Sequence, residues 1–334
     1  MNKKHLLTAL KIVLTLVISI ASLMFAMNKI DWQEIIKAIQ SMAIPYLILA
    51  ALISTGNVLI RALRWHLLLK DEGSQTLTQT AQAVWIGYLG NNILPGRAGE
   101  FLRSIFLALA GNIRKTLVLA TAFIERLIDA ATLLMLALIM LNFTEALPSH
   151  VQSTLNLIIP ILSGAIIFIF LTPRFEKLFS RLILKLPVGK NISDKLNHFF
   201  LGIVDGIRTF HNVRRLGVFI FLTVIVWIFD AFAIMLFLQA FTAPISLPQA
   251  IVFLTAIGFA SSIPATPGYV GVFQAIAVML LPIFGVSANI AFAMISVFQA
   301  QMLVLSLVFG VYSWISLRKS LNRAQLEKEL NADR

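Results

Sequence analysis

The sequence predicts an all-α polytopic membrane protein: about six transmembrane helices plus two re-entrant broken hairpins, arranged as two inverted-topology repeats. Three observations point there. Hydrophobic residues make up 59% of the 334 residues and charged residues only 13%, against roughly 45–50% and about 25% in soluble domains. Apolar runs long enough to span a bilayer recur along the chain. The pattern P-G-x-x-G occurs twice, each time inside an apolar region.

With a mean hydropathy of +0.89, polar surface is too scarce to cover a water-soluble globule. The 27 Lys+Arg against 15 Asp+Glu give a net charge of +12. In a membrane protein such an excess marks cytoplasmic loops beside anionic lipid, and no nucleic-acid partner is expected. The absence of cysteine excludes disulfides, thiolate metal sites and cysteine nucleophiles. The five His are scattered without ligand spacing and no P-loop pattern occurs, so neither metal nor cofactor is expected.

The first apolar stretch, Leu6 to Met27, follows Lys3 and Lys4. It is longer than the roughly 7–15 residues of a signal-peptide core and lacks an A-x-A site, so it reads as an uncleaved span. Further runs cover 44–62, 117–142, 151–172, 216–241 and 291–316, each near the ~20 residues needed to cross hydrocarbon. Backbone groups in lipid must be satisfied within their own segment, which makes these runs helices.

The loops 143–150, 242–250 and 284–290 hold no Lys or Arg. Segment 173–215 holds Arg174, Lys177, Arg181, Lys185, Lys190, Lys195, Arg208, Arg214 and Arg215, and the tail adds Arg318, Lys319, Arg323, Lys328 and Arg334. This bias places both termini in the cytoplasm. The 28–43 loop, with Lys29 and Lys37 balanced by Asp31 and Glu34, falls outside. Residues 1–334 form one integral membrane domain. Half one covers about 5–145, half two about 150–318 with a cytoplasmic amphipathic segment at 173–215, and 319–334 is a short tail. Within 174–186 the basic residues share one face and Phe175, Leu178, Phe179, Leu182 and Leu186 the other. That is the pattern of an interfacial helix, either a plain membrane anchor or a sensor of anionic lipid.

Two apolar regions, roughly 81–112 and 249–284, are broken near their middle by Pro and Gly. The breaks are Pro95-Gly96-Arg97-Ala98-Gly99 and Pro267-Gly268-Tyr269-Val270-Gly271, offset by 172 residues, and the flanking spans follow the same register. Each half then reads as span, span, broken hairpin, span. Three spans reverse direction, so the second half is inverted. The bland reading is two tight turns between packed helices. The functional one is the transporter pattern, in which broken segments of two inverted halves meet at the midplane around a substrate. A helix starting at each tip would turn free N–H groups into the cavity, an arrangement suited to phosphate or carboxylate.

Around the first motif stand Asn91, Asn92, Arg97, Glu100 and Arg103, and the next span carries Glu125, Arg126 and Asp129. Ionisable residues in spans usually face a bundle interior and mark substrate or ion paths. They either form a salt-bridge cluster that fixes the hairpin, or Glu125 and Asp129 orient Arg97 and Arg103 toward a phosphate. Asp230, alone in the 216–241 span, is either a coupling carboxylate or a buried acid bonded to Trp227 or the hairpin backbone. The second motif offers only neutral polarity, from Ser261, Ser262, Thr266, Gln274 and Gln299.

The run Asn92-Ile93-Leu94-Pro95-Gly96-Arg97-Ala98-Gly99-Glu100 with Arg103, followed by Glu125-Arg126-Leu127-Ile128-Asp129, resembles the lysylphosphatidylglycerol synthase-type transmembrane (flippase-like) family. Pro264-Ala265-Thr266-Pro267-Gly268 with Gly271 is similar to that family's second signature. The resemblance covers about 5 to 318. It departs at Tyr269, where the family typically has a second Gly, and at Gln274, where it often has Glu. Two-part members attach an aminoacyltransferase domain; this chain ends about 18 residues after its last span, so the translocation half alone is expected. The resemblance implies movement of a polar lipid headgroup between leaflets. With the arginines of the first motif, the expectation is a flippase or scramblase of a bacterial cytoplasmic (inner) membrane for a phosphate-bearing (anionic or polyprenyl-type) lipid, a transporter rather than an enzyme. Its substrate-binding set would be Asn92, Pro95, Gly96, Arg97, Gly99, Glu100, Arg103, Glu125, Arg126, Asp129, Pro264, Thr266, Pro267, Gly268, Gly271 and Gln274, with Asp230 in coupling. The expected partners are membrane lipid as substrate and anionic lipid at the basic helix; a homo-oligomer is among the arrangements allowed. Two alternatives stay open: a membrane-embedded lipid-modifying enzyme, and an ion-coupled transporter of a soluble anion.

Overall fold

In the computed structural model the described residues are 3–28, 30–94, 98–141, 157, 160, 161, 164, 171–210, 212–261 and 266–332. Twelve α-helices follow one another in them. The first six are α1 (Lys3–Met27), α2 (Trp32–Ser41), α3 (Ile44–Leu69), α4 (Leu77–Ile93), α5 (Ala98–Gly111) and α6 (Lys115–Leu141). The others are α7 (Glu176–Leu184), α8 (Lys190–Arg208), α9 (Val213–Ala240), α10 (Leu247–Ala260), α11 (Val272–Leu280) and α12 (Ala288–Ala332). Strands are absent among the described residues. Most of the expected span at 151–172 lies outside them.

Among the described residues four stretches are long and apolar enough to cross a bilayer: Ile44–Leu69, Val213–Ala240, Pro267–Phe284 and Ala288–Leu321. The protein is thus an all-α polytopic membrane protein. Its outer surface suits lipid, with Leu52, Phe101, Phe123 and Met135 each about 60% exposed. Three boundaries differ from the sequence reading. Helix α3 runs to Leu69, past the expected end at 62, because Arg61 and Arg64 point inward to buried partners instead of ending the span. The 28–43 loop contains α2, started by Asp31, whose carboxylate accepts from the N–H groups of Gln33 and Glu34. The return arm of the second broken region, Pro267–Phe284, reaches spanning length through two 3-10 turns around α11.

Helices α4 and α5 form the first broken hairpin. Its start is set by a capping box: Thr76 Oγ1 accepts from Gln79 N at 3.2 Å and Gln79 Oε1 accepts from Thr76 N at 2.9 Å. Its two arms touch at glycine. A β-carbon at Gly99 would lie 2.0 Å from the Gly87 carbonyl oxygen, so only glycine lets the backbones approach this closely. Helix α10 and the segment from Pro267 through α11 form the second broken region. Here Gly271 holds φ +89, and a β-carbon on it would meet the Ser19 carbonyl oxygen of α1 at 2.2 Å.

Buried apolar side chains gather in two cores. One includes Trp65, Val84, Leu107, Val118, Ile124 and Phe210, from α3, α4, α5, α6 and the end of α8. The other includes Phe237, Phe253, Phe273 and Met294, from α9, α10, α11 and α12. Helices α3 and α9 run past both. Helix α12 closes against the first hairpin, where Trp85 stacks on Phe309 at 4.8 Å. Between the two cores lies a polar layer.

Candidate functional site

Helix α3 contributes most of that layer. Asn57, Arg61 and Arg64 are spaced four and three apart on one helix face, and all three are buried. Arg64 is fully buried at its side chain and donates to Glu125 Oε1 at 2.6 Å, Asp129 Oδ1 at 2.6 Å and Thr223 Oγ1 at 2.7 Å. Arg61 donates to Asp230 Oδ2 at 2.6 Å and lies 3.9 Å from Asp129. Asn57 donates to Asp230 Oδ1 at 2.6 Å and to the Val226 carbonyl at 3.0 Å. Asp230 is therefore held by α3, not by Trp227 or the hairpin backbone as the sequence suggested. One guanidinium, from Arg61, and one amide, from Asn57, satisfy its two oxygens.

The first hairpin and α6 supply the rest. Arg103 Nε donates to Glu100 at 2.7 Å and its Nη2 to Glu125 at 3.3 Å, while the guanidinium lies 4.4 Å over the Trp65 ring. Arg126 donates to Glu125 Oε1 at 2.9 Å and sits 3.6 Å from Asp129 and 3.8 Å from Glu100. Among the described residues four arginines thus meet four carboxylates, and the formal charges of these eight cancel. Burial makes each member dependent on its partners, because removal of one leaves a charge uncompensated in low dielectric. Arg126 is the most open of the four, with 32% of its side chain exposed against 0–7% for the others.

This network borders a cavity of about 260 Å³. Its walls come from both broken regions and from α3, α6, α9 and α12. Asn92, Glu100, Arg103, Arg126, Asp230 and Gly268 line it among the expected site residues, joined by Asn57, Arg61, Trp85, Tyr88, Trp227, Tyr269 and Gln299. Glu125 and Asp129 lie behind the lining and hold its arginines. Gly99 packs the hairpin arms. Pro95, Gly96, Arg97 and Pro264 lie outside the described residues.

The two broken regions meet at this cavity. A β-carbon built on Gly268 would lie 3.6 Å from Asn92 Oδ1. Gln299 Nε2 donates to the Gly268 carbonyl at 2.7 Å, and its Oε1 accepts from Gln274 Nε2 at 2.5 Å. Gln274 Oε1 accepts from Gly271 N at 2.8 Å, so this residue braces the second tip instead of lining the cavity. Thr266 N donates to Ser19 Oγ at 3.0 Å, which ties the same tip to α1. Pro267 begins the 3-10 turn whose third residue, Tyr269, has φ +58. That left-handed position is one where glycine costs least, and the Tyr ring is held by stacking on Phe273 at 4.9 Å.

Asn57, Arg61 and Arg64 were not among the residues singled out from sequence. Their signal was present: three polar residues at helical spacing on an otherwise apolar run. Ending the span at 62 made the arginines look like ordinary flanking charges.

The comparisons with known proteins accord with this architecture. A curated relative, a UPF0104 membrane protein of Methanothermobacter thermautotrophicus, is 23% identical, over 81% of this chain and 84% of its own length. No solved structure matches. The model of the lysylphosphatidylglycerol synthase TM region matches residues 12–310, a stretch holding the two cores, the broken hairpins and the whole charged network, and the chain belongs to that family.

Proposed function

We propose that the protein moves the polar headgroup of a phosphate-bearing membrane lipid between leaflets, leaving the acyl chains in the bilayer. The observation that carries this reading is the charged cavity enclosed by two broken helical regions from opposite halves of the chain. Broken segments meeting around a polar site at depth are the pattern of alternating-access transporters, and non-helical backbone survives there only inside protein or beside water.

The described arginines of the cluster are all balanced by carboxylates, so a phosphate that binds them takes over a guanidinium edge that the carboxylates hold loosely. Arg126 fits that role. It commits one amino group to Glu125 at 2.9 Å, its Nε has no hydrogen-bond partner, and its contacts to Asp129 and Glu100 are longer than hydrogen bonds. The planar fork still has donors matched to phosphate oxygens. Arg103 is committed to two acids and an aromatic ring, so its part is to fix the hairpin. Arg97, a motif residue outside the described ones, is the second phosphate candidate. Asp230, bonded to Arg61 and Asn57 at 2.6 Å each, is retained in this reading as the candidate coupling residue.

The remaining expectations join this reading as proposals: cytoplasmic termini, an inner-membrane location and an interfacial basic segment. The last is supported by α7, which buries none of its residues and exposes Leu178 and Leu182 at 54% each. The test is dithionite quenching of a fluorescent phospholipid in proteoliposomes. Arg126→Lys keeps the charge and loses the fork; translocation should fall at least tenfold while the variant melts within a few degrees of wild type. Wild-type translocation by R126K would remove Arg126 from the site, and absence of translocation by the wild-type protein would refute the function.

A further inference from the structure

A second cavity, of about 440 Å³, lies where the end of α3 meets the start of α9. Its composition is amphipathic. Val218 and Leu222 give an apolar wall, with Val218 41% exposed, and Lys70, Arg214 and Arg215 give a basic rim. Arg215 is paired with Asp71. Lys70 and Arg214 are exposed and make no ion pair with another described residue. The inner wall includes Arg64, fully buried, whose Nε has no hydrogen-bond partner. Arg64 binds Glu125 and Asp129 through its other nitrogens, and Glu125 and Asp129 in turn hold Arg126 on the central cavity. The two cavities are thus linked through one shared layer of ion pairs.

We propose that this pocket is a landing site for an anionic lipid, the phosphate at Lys70 and Arg214 and an acyl chain along Val218 and Leu222. Basic pockets between spanning helices recognise anionic headgroups in this way. The start of α9 adds favourable N–H groups, since the Asn212 side chain accepts only from Arg215 N there. The lipid binds on the face that the Lys/Arg bias assigns to the cytoplasm, and Arg64 relays its arrival to the acids of the central cavity. That relay rests on the headgroup-translocation reading; binding at the pocket does not.

The experiment is a titration of the purified full chain in detergent with dioctanoyl phosphatidic acid, with dioctanoyl phosphatidylcholine and inorganic phosphate as separate arms. The K70A/R214A variant alters two exposed residues and should melt like wild type. Its affinity for phosphatidic acid should fall about 30-fold, roughly fivefold per charge removed, and phosphatidylcholine should bind weakly to both proteins. Affinity retained within about twofold, or equal binding of phosphatidylcholine, would overturn the proposal. Inorganic phosphate displacing the lipid at equal concentration would make this a free-phosphate site and overturn it too. If the wild-type protein binds phosphatidic acid here but translocates no lipid in vesicles, the landing site stands and the translocation reading falls.

Discussion

Replacing Glu125 by Gln probes the network at its most connected point. The carboxylate is fully buried and accepts from Arg64 at 2.6 Å, Arg126 at 2.9 Å and Arg103 at 3.3 Å. An amide of the same shape fits the space but removes the charge and turns an N–H₂ toward guanidinium donors. Breaking a buried pair costs roughly 3–5 kcal/mol. Each of the three arginines keeps a second acid: Arg64 has Asp129 at 2.6 Å, Arg103 has Glu100 at 2.7 Å and Arg126 has Asp129 at 3.6 Å. The cost should therefore sit near the lower end, about 3 kcal/mol. Thermal unfolding in detergent, followed by tryptophan fluorescence, measures it, because Trp65 lies directly under the Arg103 guanidinium. Removing Arg64 as well restores the balance of charge, so R64M/E125Q should be more stable than the sum of its single variants by about 1–3 kcal/mol. An E125Q protein that melts with the wild type, or a double variant that loses the full sum, would refute the argument.

Gly271→Ala and Gly285→Ala both place a side chain at positive φ, +89 and +84, but only the first meets backbone, the Ser19 carbonyl at 2.2 Å. Circular-dichroism melts should show a loss of about 1 kcal/mol for G285A and at least twice that for G271A; equal losses would show that α1 does not press on the second tip. Gln274→Glu removes the donor to Gln299 Oε1 at 2.5 Å and puts two acceptors face to face, so stability should fall by about 1–3 kcal/mol unless Gln299 releases Gly268. Single cysteines at 246 and 190, both exposed in a chain without cysteine, should label from outside and from the cytoplasm respectively; labelling of 190 in intact cells would refute the orientation.

The membrane class, the helical character and the two breaks near 95 and 267 were legible in the sequence because each follows from local physics. Apolar length, the demand for internal backbone hydrogen bonds and the disruption of helix by Pro and Gly act within about 20 residues. The residues of the polar layer were legible only in part. Glu100, Arg103, Glu125, Arg126 and Asp129 stood out because they break apolar runs or flank a motif. Arg61 and Arg64 did not, since an arginine near a helix end ordinarily snorkels to the interface.

Pairing was decided by the tertiary structure alone. The sequence shows that acids and arginines both interrupt the apolar runs, but which arginine meets which carboxylate depends on how α3 packs against α6 and α9. That packing gives Asp129 to Arg64 at 2.6 Å and Asp230 to Arg61 at 2.6 Å, across sequence separations of 65 and 169. An ion pair depends on distances of a few ångströms and on the exclusion of water, and neither is a property of any segment by itself. The sequence determined that charges had to be buried somewhere in this membrane protein; packing of the two halves decided that they neutralise one another around a cavity, with Arg126 left as the most open cation of the four.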